Sequence, residues 1–173
     1  MWALLLLAAT GVAALAWWAL SLRGHSGDRT LTGPPSDPFH LRYTHDWQKL
    51  SPGQLRALSN VPLAMLRQNN GKGVIVIRRD KRAVSLDKRF ASELDRQLRA
   101  RLPDYRLISA RIVSTRAGGA FYFAYVRLRR GTLHTVLIVP AGDHSYVLDT
   151  VSNPGAGDVS KEIGKIIGSF SPT

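Results

Sequence analysis

Residues 105–150 decide the fold class, and they read YRLISARIVSTRAGGAFYFAYVRLRRGTLHTVLIVPAGDHSYVLDT. Four runs rich in aromatic and β-branched residues follow one another, and short turns that contain glycine separate them. Because these turns are short, we expect neighbouring strands to pair as an antiparallel meander. The predicted strands are Tyr105–Thr115, Phe121–Arg130, Thr132–Val139 and Tyr146–Thr150.

The segments before the meander add further strands. Phe39–Tyr43 alternates apolar and polar residues, as expected of a half-buried strand. Val61–Gln68 and Gly73–Arg79 flank the turn sequence Asn69-Asn70-Gly71-Lys72 and predict a hairpin. Since Val74–Ile77 is a continuous apolar run, it predicts a central strand that is buried on both faces.

Helices complete the predicted fold. A cap at Ser51 with Pro52 predicts one or two helical turns, and an apolar residue at every fourth position predicts a helix over Asp87–Leu102. A closing helix begins at Asp158. Its predicted buried residues are Val159, Ile163, Ile166, Ile167 and Phe170. The sequence therefore predicts an α+β fold in which helices pack an antiparallel sheet.

Residues 1–22, MWALLLLAATGVAALAWWALSL, contain no ionisable side chain and are long enough to cross a bilayer once. Trp17 and Trp18, followed by Arg23, are typical of an interfacial anchor. The alternative is a cleaved signal peptide, but no Lys or Arg precedes the apolar run. We therefore predict one N-terminal transmembrane helix and a single-pass membrane protein.

Residues 23–38 are rich in Gly, Ser, Thr and Pro, so we predict a flexible linker there and a folded domain over 39–173. The side of the membrane on which the domain lies is a separate question. Arg23 and Arg29 follow the apolar segment and favour the cytoplasmic side.

The chain is strongly basic and contains no cysteine. It has 24 Lys and Arg against 12 Asp and Glu, a formal net charge of +12. The absence of cysteine excludes disulfides, thiol nucleophiles and cysteine-bound zinc or iron–sulfur clusters. The positive charge favours an anionic partner, which is either anionic lipid or an acidic protein.

The densest group of cations lies between positions 72 and 89, where Asp80 and Asp87 are the acidic residues. We predict that these cations form a basic binding face, and a solvated surface that keeps the protein soluble is the alternative. The residues of this predicted face are Lys72, Arg78, Arg79, Lys81, Arg82, Lys88 and Arg89.

The order of the predicted elements resembles that of the PsbP-like and Mog-like domains. The resemblance rests on Phe39-His40-Leu41-Arg42-Tyr43 with Asp46-Trp47, on Phe121-Tyr122-Phe123-Ala124-Tyr125, and on Ile163-Gly164-Lys165-Ile166-Ile167-Gly168-Ser169-Phe170. It covers residues 39–170 and implies an α/β/α sandwich with an accessory or adaptor role. Many such domains are exported, which opposes the cytoplasmic placement that the charges favour.

The first alternative function is a hydrolase or another enzyme with a pocket around His134 or His144. None of the five histidines, His25, His40, His45, His134 and His144, has HxH or HExxH spacing. No GxSxG motif positions a nucleophile. We therefore predict no catalytic residue, no metal site and no cofactor.

Membrane-proximal binding of nucleic acid is the second alternative. Residues 116–126, RAGGAFYFAYV, match the aromatic strand motif of RNA-recognition domains only in part. This alternative requires an exposed Phe121 or Phe123 that can stack on a base. The sequence leaves the oligomeric state open.

Overall fold

An antiparallel sheet of seven strands lies at the centre of the computed structural model, which describes residues 29–81, 84, 87–153 and 157–173. The strands are β1 (Arg29–Thr32), β2 (Phe39–Tyr43), β3 (Trp47–Lys49), β4 (Ala64–Gln68), β5 (Gly73–Asp80), β6 (Tyr105–Thr115), β7 (Gly118–Arg127), β8 (Thr132–Ala141), β9 (His144–Ser152) and β10 (Ser171–Pro172). The helices are α1 (Pro52–Arg56), α2 (Lys88–Arg101) and α3 (Gly157–Gly168).

The seven-stranded sheet has the order β3-β4-β5-β9-β8-β7-β6, and a small sheet has the order β1-β2-β10. The consecutive pairing of β6, β7, β8 and β9 confirms the predicted meander. The β4–β5 hairpin is also confirmed, and Gly71 in its turn has a φ of 74°, which favours glycine. The β5 strand lies between β4 and β9, in the interior of the sheet as predicted.

Side chains alternate between the two faces of the seven-stranded sheet, and each face buries its own core. On β8, Leu137 and Val139 pack in the core that includes α3 and the small sheet, whereas Ile138 packs in the core beneath α2. On β7, Phe121 and Phe123 also lie beneath α2. The predicted α+β fold with helices packed on an antiparallel sheet is therefore confirmed.

Local capping contacts set the beginnings of two helices. The Ser51 backbone N–H donates to Oε1 of Gln54 at 2.8 Å, and Ser51 Oγ accepts from the Gln54 backbone N–H at 3.4 Å. This reciprocal pair is a capping box. Asp87 caps α2, where its Oδ1 accepts from the Phe90 backbone N–H at 2.8 Å. The predicted helices at these two positions are thus confirmed.

The predicted flexible linker over 23–38 is wrong for residues 29–38. Residues 29–32 form β1, whose register places Arg29 opposite Tyr43. Leu31 is 1 % exposed, so the folded part begins at least ten residues before the predicted boundary at 39. The composition indicated a linker because β1 buries a single apolar residue, while the other residues of the strand are polar and exposed.

The prediction that Val74–Ile77 is buried on both faces is also corrected. Ile75 and Ile77 are fully buried, but Val74 and Val76 on the opposite face are half-buried. The reason lies in the position of α2, because the core beneath it includes residues of β6, β7, β8 and β9 but neither Val74 nor Val76.

The outer edge of the meander is β6. Its pairing with β7 shifts register between Leu107 and Ser109, so that Ile108 forms a bulge and is 57 % exposed. The predicted membrane anchor, with Trp17, Trp18 and Arg23, lies outside the described residues. Among the residues that are described, no helix has the length and apolar character needed to cross a bilayer.

Candidate functional site

The described cations of the predicted basic face do not form one surface. Lys72 lies in the β4–β5 turn, whereas Arg78, Arg79 and Lys81 lie at the other end of β5. At about 3.3 Å per residue, the six steps from Lys72 to Arg78 separate the two groups by about 20 Å. Arg82 and the side chain of Lys88 lie outside the description.

Strand alternation also divides the cations at the end of β5. Arg79 Nη1 lies 2.9 Å from Oδ1 of Asp37, on the side of the small sheet. Arg78 Nη1 lies 3.8 Å from Oδ2 of Asp149, which lines a cavity on the opposite face. A charge cluster that is contiguous in sequence is therefore dispersed by the strand. A binding role for these seven residues stays a prediction.

Several turns that are distant in sequence meet at the end of the sheet where β5 begins. The Asn69 backbone N–H donates to the Asp46 carbonyl at 2.8 Å, and the Leu128 backbone N–H donates to the Asp104 carbonyl at 2.9 Å. Ser152 pairs with Gly73 on one side and Leu133 on the other, which aligns these turns. We call this region the basic end, after its exposed cations, which include Arg29, Arg67, Lys72, Arg101, Arg106, Arg129 and Arg130.

Two carboxylates at the basic end are already paired with arginine. Asp104 Oδ1 accepts from Arg127 Nε at 2.5 Å, and its Oδ2 accepts from the Arg129 backbone N–H at 3.2 Å. Burial opposes ionisation of Asp104, but these donors outweigh it and lower its pKa. Asp95 pairs with Arg99 at 3.2 Å and accepts from the Tyr105 hydroxyl at 2.6 Å. The Asp104 contacts fix the start of the β7–β8 turn, and the Asp95 contacts join α2 to the start of β6.

The β7–β8 turn carries an apolar residue beside its cations. Leu128 is 62 % exposed and directly precedes Arg129 and Arg130. The local potential acts on His134, whose pKa is lowered chiefly by burial and further by the charges of Arg127 and Arg130. Exposed Asp46 and Asp158 also lie near this end, so the surface is predominantly rather than purely positive.

The opposite end of the sheet has a mixed charge. The described turns there carry exposed Lys81, Arg89 and Arg116, and the acidic residues Asp87 and Asp143 are exposed beside them. Asp80 lies on the last position of β5 and is half-buried. Arg78 and Arg79 also lie at this end, beside Asp149 and Asp37. Among the described residues, the excess of exposed cations over exposed carboxylates is therefore greater at the basic end.

A cavity of about 660 Å³ lies between α2 and the seven-stranded sheet. Its lining is mainly apolar. The apolar and aromatic lining residues are Val84, Phe90, Leu94, Leu98, Tyr125, Val136, Ile138 and Val147. The polar ones are Asp80, Asp87, Arg89, Glu93, Gln97 and Asp149.

Asp149 lies in the sheet wall of this cavity, opposite Val76 and Val136 on the neighbouring strands. Its side chain is 33 % exposed, but Oδ1 is shielded from solvent and accepts no hydrogen bond from any described residue. Burial raises the pKa of Asp149, and the nearby Arg78 opposes this shift. Burial, together with the Asp149 charge, also raises the pKa of Tyr125 to about 12.

The enzyme alternative requires a histidine that contacts both a carboxylate and a nucleophile. His134 Nε2 lies 3.1 Å from Thr132 Oγ1, and its ring stacks on Tyr125 with centroids 4.7 Å apart. His144 Nδ1 lies 2.8 Å from Asp143 Oδ1, while its buried Nε2 contacts no hydrogen-bonding group among the described residues. Neither histidine is thus joined to both a carboxylate and a nucleophile in the described part of the chain.

The aromatic residues of the nucleic-acid hypothesis are covered. Phe121 and Phe123 are 2 % and 0 % exposed, and Phe90 of α2 packs edge-on against Phe121 at 5.2 Å. Neither ring can stack on a base in this conformation. Across residues 29–81, 84, 87–153 and 157–173, no group of three His, Asp or Glu side chains is arranged to hold a metal ion.

The sequence reasoning missed the basic end and the cavity. It placed Leu128, Arg129 and Arg130 inside a strand, whereas β7 ends at Arg127 and a turn follows. The sequence Leu128-Arg129-Arg130-Gly131 contains the available signal, because Gly131 has a φ of 57° and closes the turn. Nothing in the strand sequence around Asp149 marks it as part of a cavity.

Comparisons with known proteins identify the fold. No protein-family model and no curated protein matches the chain. The solution structure of cyanobacterial PsbP from Synechocystis matches with a TM-score of 0.62 and 11 % identity over 87 % of this chain and 95 % of that protein. The chain therefore has a PsbP-like fold, as the resemblance implied. The Mog-like part of the resemblance stays a prediction.

Two other solved structures are more distant. A protein from Bacteroides thetaiotaomicron gives a TM-score of 0.47 and 14 % identity, covering 86 % of this chain and 49 % of that one. A Pseudomonas aeruginosa protein of unknown function gives a TM-score of 0.41 and 15 % identity, covering 73 % of this chain and 85 % of that one.

Proposed function

We propose that this protein is a membrane-tethered, non-catalytic accessory module whose basic end docks on the anionic surface of its own membrane. In this proposal residues 1–22 are the tether, with Trp17, Trp18 and Arg23 in the interfacial region. The observation that carries the proposal is the pairing of Arg29 with Tyr43. This pairing places the start of β1 beside Tyr43, at the basic end.

The length of chain between tether and fold supports this orientation. Residues 23–28 separate the proposed tether from β1, and an extended chain of that length spans at most about 20 Å. A connection this short holds the end of the domain where β1 begins close to the bilayer. The basic end is therefore the part of the domain that lies nearest to lipid headgroups.

The charges at that end favour an anionic lipid surface. Each well-placed Lys or Arg contributes about 1 kcal/mol of attraction near such a membrane. The basic end has at least seven exposed cations among the described residues, and Leu128 can enter the headgroup region beside Arg129 and Arg130. The opposite end, with its mixed charges, would remain free for the partner of an accessory module. The PsbP-like fold supports an accessory role only by analogy.

The experiment uses the absence of native cysteine. We would place the full chain with Leu128→Cys in vesicles, label the thiol with an environment-sensitive fluorophore, and vary the content of phosphatidylglycerol. We expect a blue shift in anionic vesicles that is absent in phosphatidylcholine and reversed by salt, because the contact is electrostatic. A label at Ala117→Cys, in the β6–β7 turn at the opposite end, should not shift.

A charge-matched pair of variants tests the surface itself. The double variant Arg129→Glu with Arg130→Glu should abolish the blue shift of the label at position 128. The double variant Lys81→Glu with Arg116→Glu changes the net charge by the same amount at the opposite end, and it should preserve this blue shift. If both double variants lost the blue shift to the same extent, this result would contradict docking by the basic end. A shift that appears only with an added acidic protein would assign the surface to a protein partner. Impermeant maleimide labelling of Ala117→Cys in intact cells would identify the side of the membrane.

A further inference from the structure

The cavity beneath α2 has the size and lining of a small-molecule site, and its use is independent of membrane docking. Its volume of about 660 Å³ lies within the range of roughly 300–1,000 Å³ that is typical of ligand pockets. Val136, Ile138 and Val147 form an apolar wall on the sheet, and Leu94 and Leu98 face them from the helix. A pocket of this kind accepts an apolar body and selects it by a few polar groups.

The polar groups of the cavity favour a cationic ligand. The described lining includes four carboxylates and one guanidinium, although the domain as a whole is strongly basic. Glu93 accepts from Arg96 and Gln97, and Asp87 caps α2, so these two carboxylates have structural partners. Asp149 differs, because its shielded Oδ1 has no donor among the described residues.

The nearest described cation does not satisfy this carboxylate. Arg78 Nη1 is 3.8 Å from Oδ2, which is beyond hydrogen-bond distance, and Arg78 is itself 44 % exposed. A buried polar atom without a partner is costly, so a donor supplied by a ligand would be favourable there. The apolar wall beside Asp149 would hold the hydrocarbon part of the same molecule.

We infer that this cavity binds a small amphipathic amine, whose apolar body lies between α2 and the sheet and whose ammonium group binds Asp149. An amine supplies both the donor that Oδ1 lacks and a charge opposite to that of the lining carboxylates. An anionic analogue of the same body would bring a like charge towards Asp149.

The test compares three probes with the same apolar body, phenylbutylamine, phenylbutanol and phenylbutyrate. Each is titrated into the full chain in nanodiscs of phosphatidylcholine, which lack the anionic lipid of the docking proposal. Methyl NMR follows Val136, Ile138 and Val147, which line the cavity, and Val159 in the opposite core is the internal reference. We expect phenylbutylamine to shift the cavity methyls at the lowest concentration and phenylbutyrate to bind most weakly.

Variants separate the polar contact from the apolar one. Asp149→Asn should weaken the binding of phenylbutylamine about tenfold and leave the affinity for phenylbutanol nearly unchanged. The control Asp46→Asn, at an exposed position, should alter neither affinity. Val136→Phe should prevent the binding of all three probes. If this variant does not fold, Leu94→Trp serves the same purpose, because it fills the cavity from the helix side. The assignment would be overturned if none of the probes shifts the cavity methyl signals, or if the shifts persist in a folded Val136→Phe or Leu94→Trp variant. It would also be overturned if Asp149→Asn bound phenylbutylamine as tightly as the native chain does.

Discussion

Arg79 on β5 and Asp37, which precedes β2 in the chain, form an ion pair with Nη1 2.9 Å from Oδ1. The carboxylate is 9 % exposed, and it also accepts from the Ser36 hydroxyl at 2.9 Å. The pair joins the segment between β1 and β2 to the seven-stranded sheet. It therefore fixes a stretch of chain whose composition indicates a linker.

We expect Asp37→Ala to lower the free energy of unfolding by about 1–3 kcal/mol, because it removes the partner of a charge-assisted hydrogen bond at a buried site. Equilibrium urea unfolding would measure the change. Arg96→Ala is the control, since Arg96 and Glu93 are 75 % and 46 % exposed and such pairs are worth about 0–1 kcal/mol. Equal effects of the two substitutions would contradict a structural role for Asp37.

Leu31→Ala tests whether β1 belongs to the folded core. Leu31 is 1 % exposed and packs in the core that contains α3, so its truncation should cost about 2–5 kcal/mol of unfolding free energy. Leu128→Ala makes the same chemical change at a position that is 62 % exposed, and it should cost less than about 0.5 kcal/mol. A loss for Leu31→Ala as small as that for Leu128→Ala would mean that β1 is dispensable for the fold.

Gly73 lies against Trp47 and α3, which leaves no room for a side chain. An added Cβ would lie 2.7 Å from Trp47 Cη2 and 2.9 Å from Val159 Cγ1. We expect Gly73→Ala to destabilise the protein by about 1–3 kcal/mol through overpacking. Gly164→Ala within α3 meets no atom within 4 Å and should stabilise it by about 0.5–1 kcal/mol. Thermal unfolding of both variants checks the opposite signs.

Because of Asp149, the folded protein should become less stable as the pH rises. Its pKa is raised in the folded state, so the unfolded chain loses this proton first and the folded state is progressively disfavoured above about pH 4. Asp149→Asn removes this penalty, and its stability relative to the native chain should increase from pH 4 until the folded carboxyl has also ionised. Urea unfolding across pH 4–8 measures the difference. A relative stability of Asp149→Asn that falls with rising pH would contradict the raised pKa.

The elements that the sequence predicted correctly depend on local patterns. The β4–β5 hairpin follows from its turn residues, and α2 follows from the Asp87 cap and the spacing of its apolar residues. Leu31 shows why β1 was missed, because one apolar residue in a polar segment produces no periodicity.

The candidate surfaces depend on contacts between distant segments. Lys72, Arg101 and Arg129 converge because three separate turns align at one end of the sheet. The contiguous cluster around Arg78 and Arg79 gave the stronger sequence signal, but strand alternation directs these two side chains to opposite faces. The cavity likewise arises from the placement of α2 relative to β9, which no local pattern records.

The bulge at Ile108 bears on how the protein resists aggregation. A long strand at the margin of a sheet offers backbone N–H and C=O groups on which another chain can assemble an intermolecular sheet. The bulge breaks this row within β6, and the exposed Arg106 places a repelling charge beside the break. Deletion of Ile108 would restore an even register, so the protein should then form amyloid-like fibres more readily at high concentration.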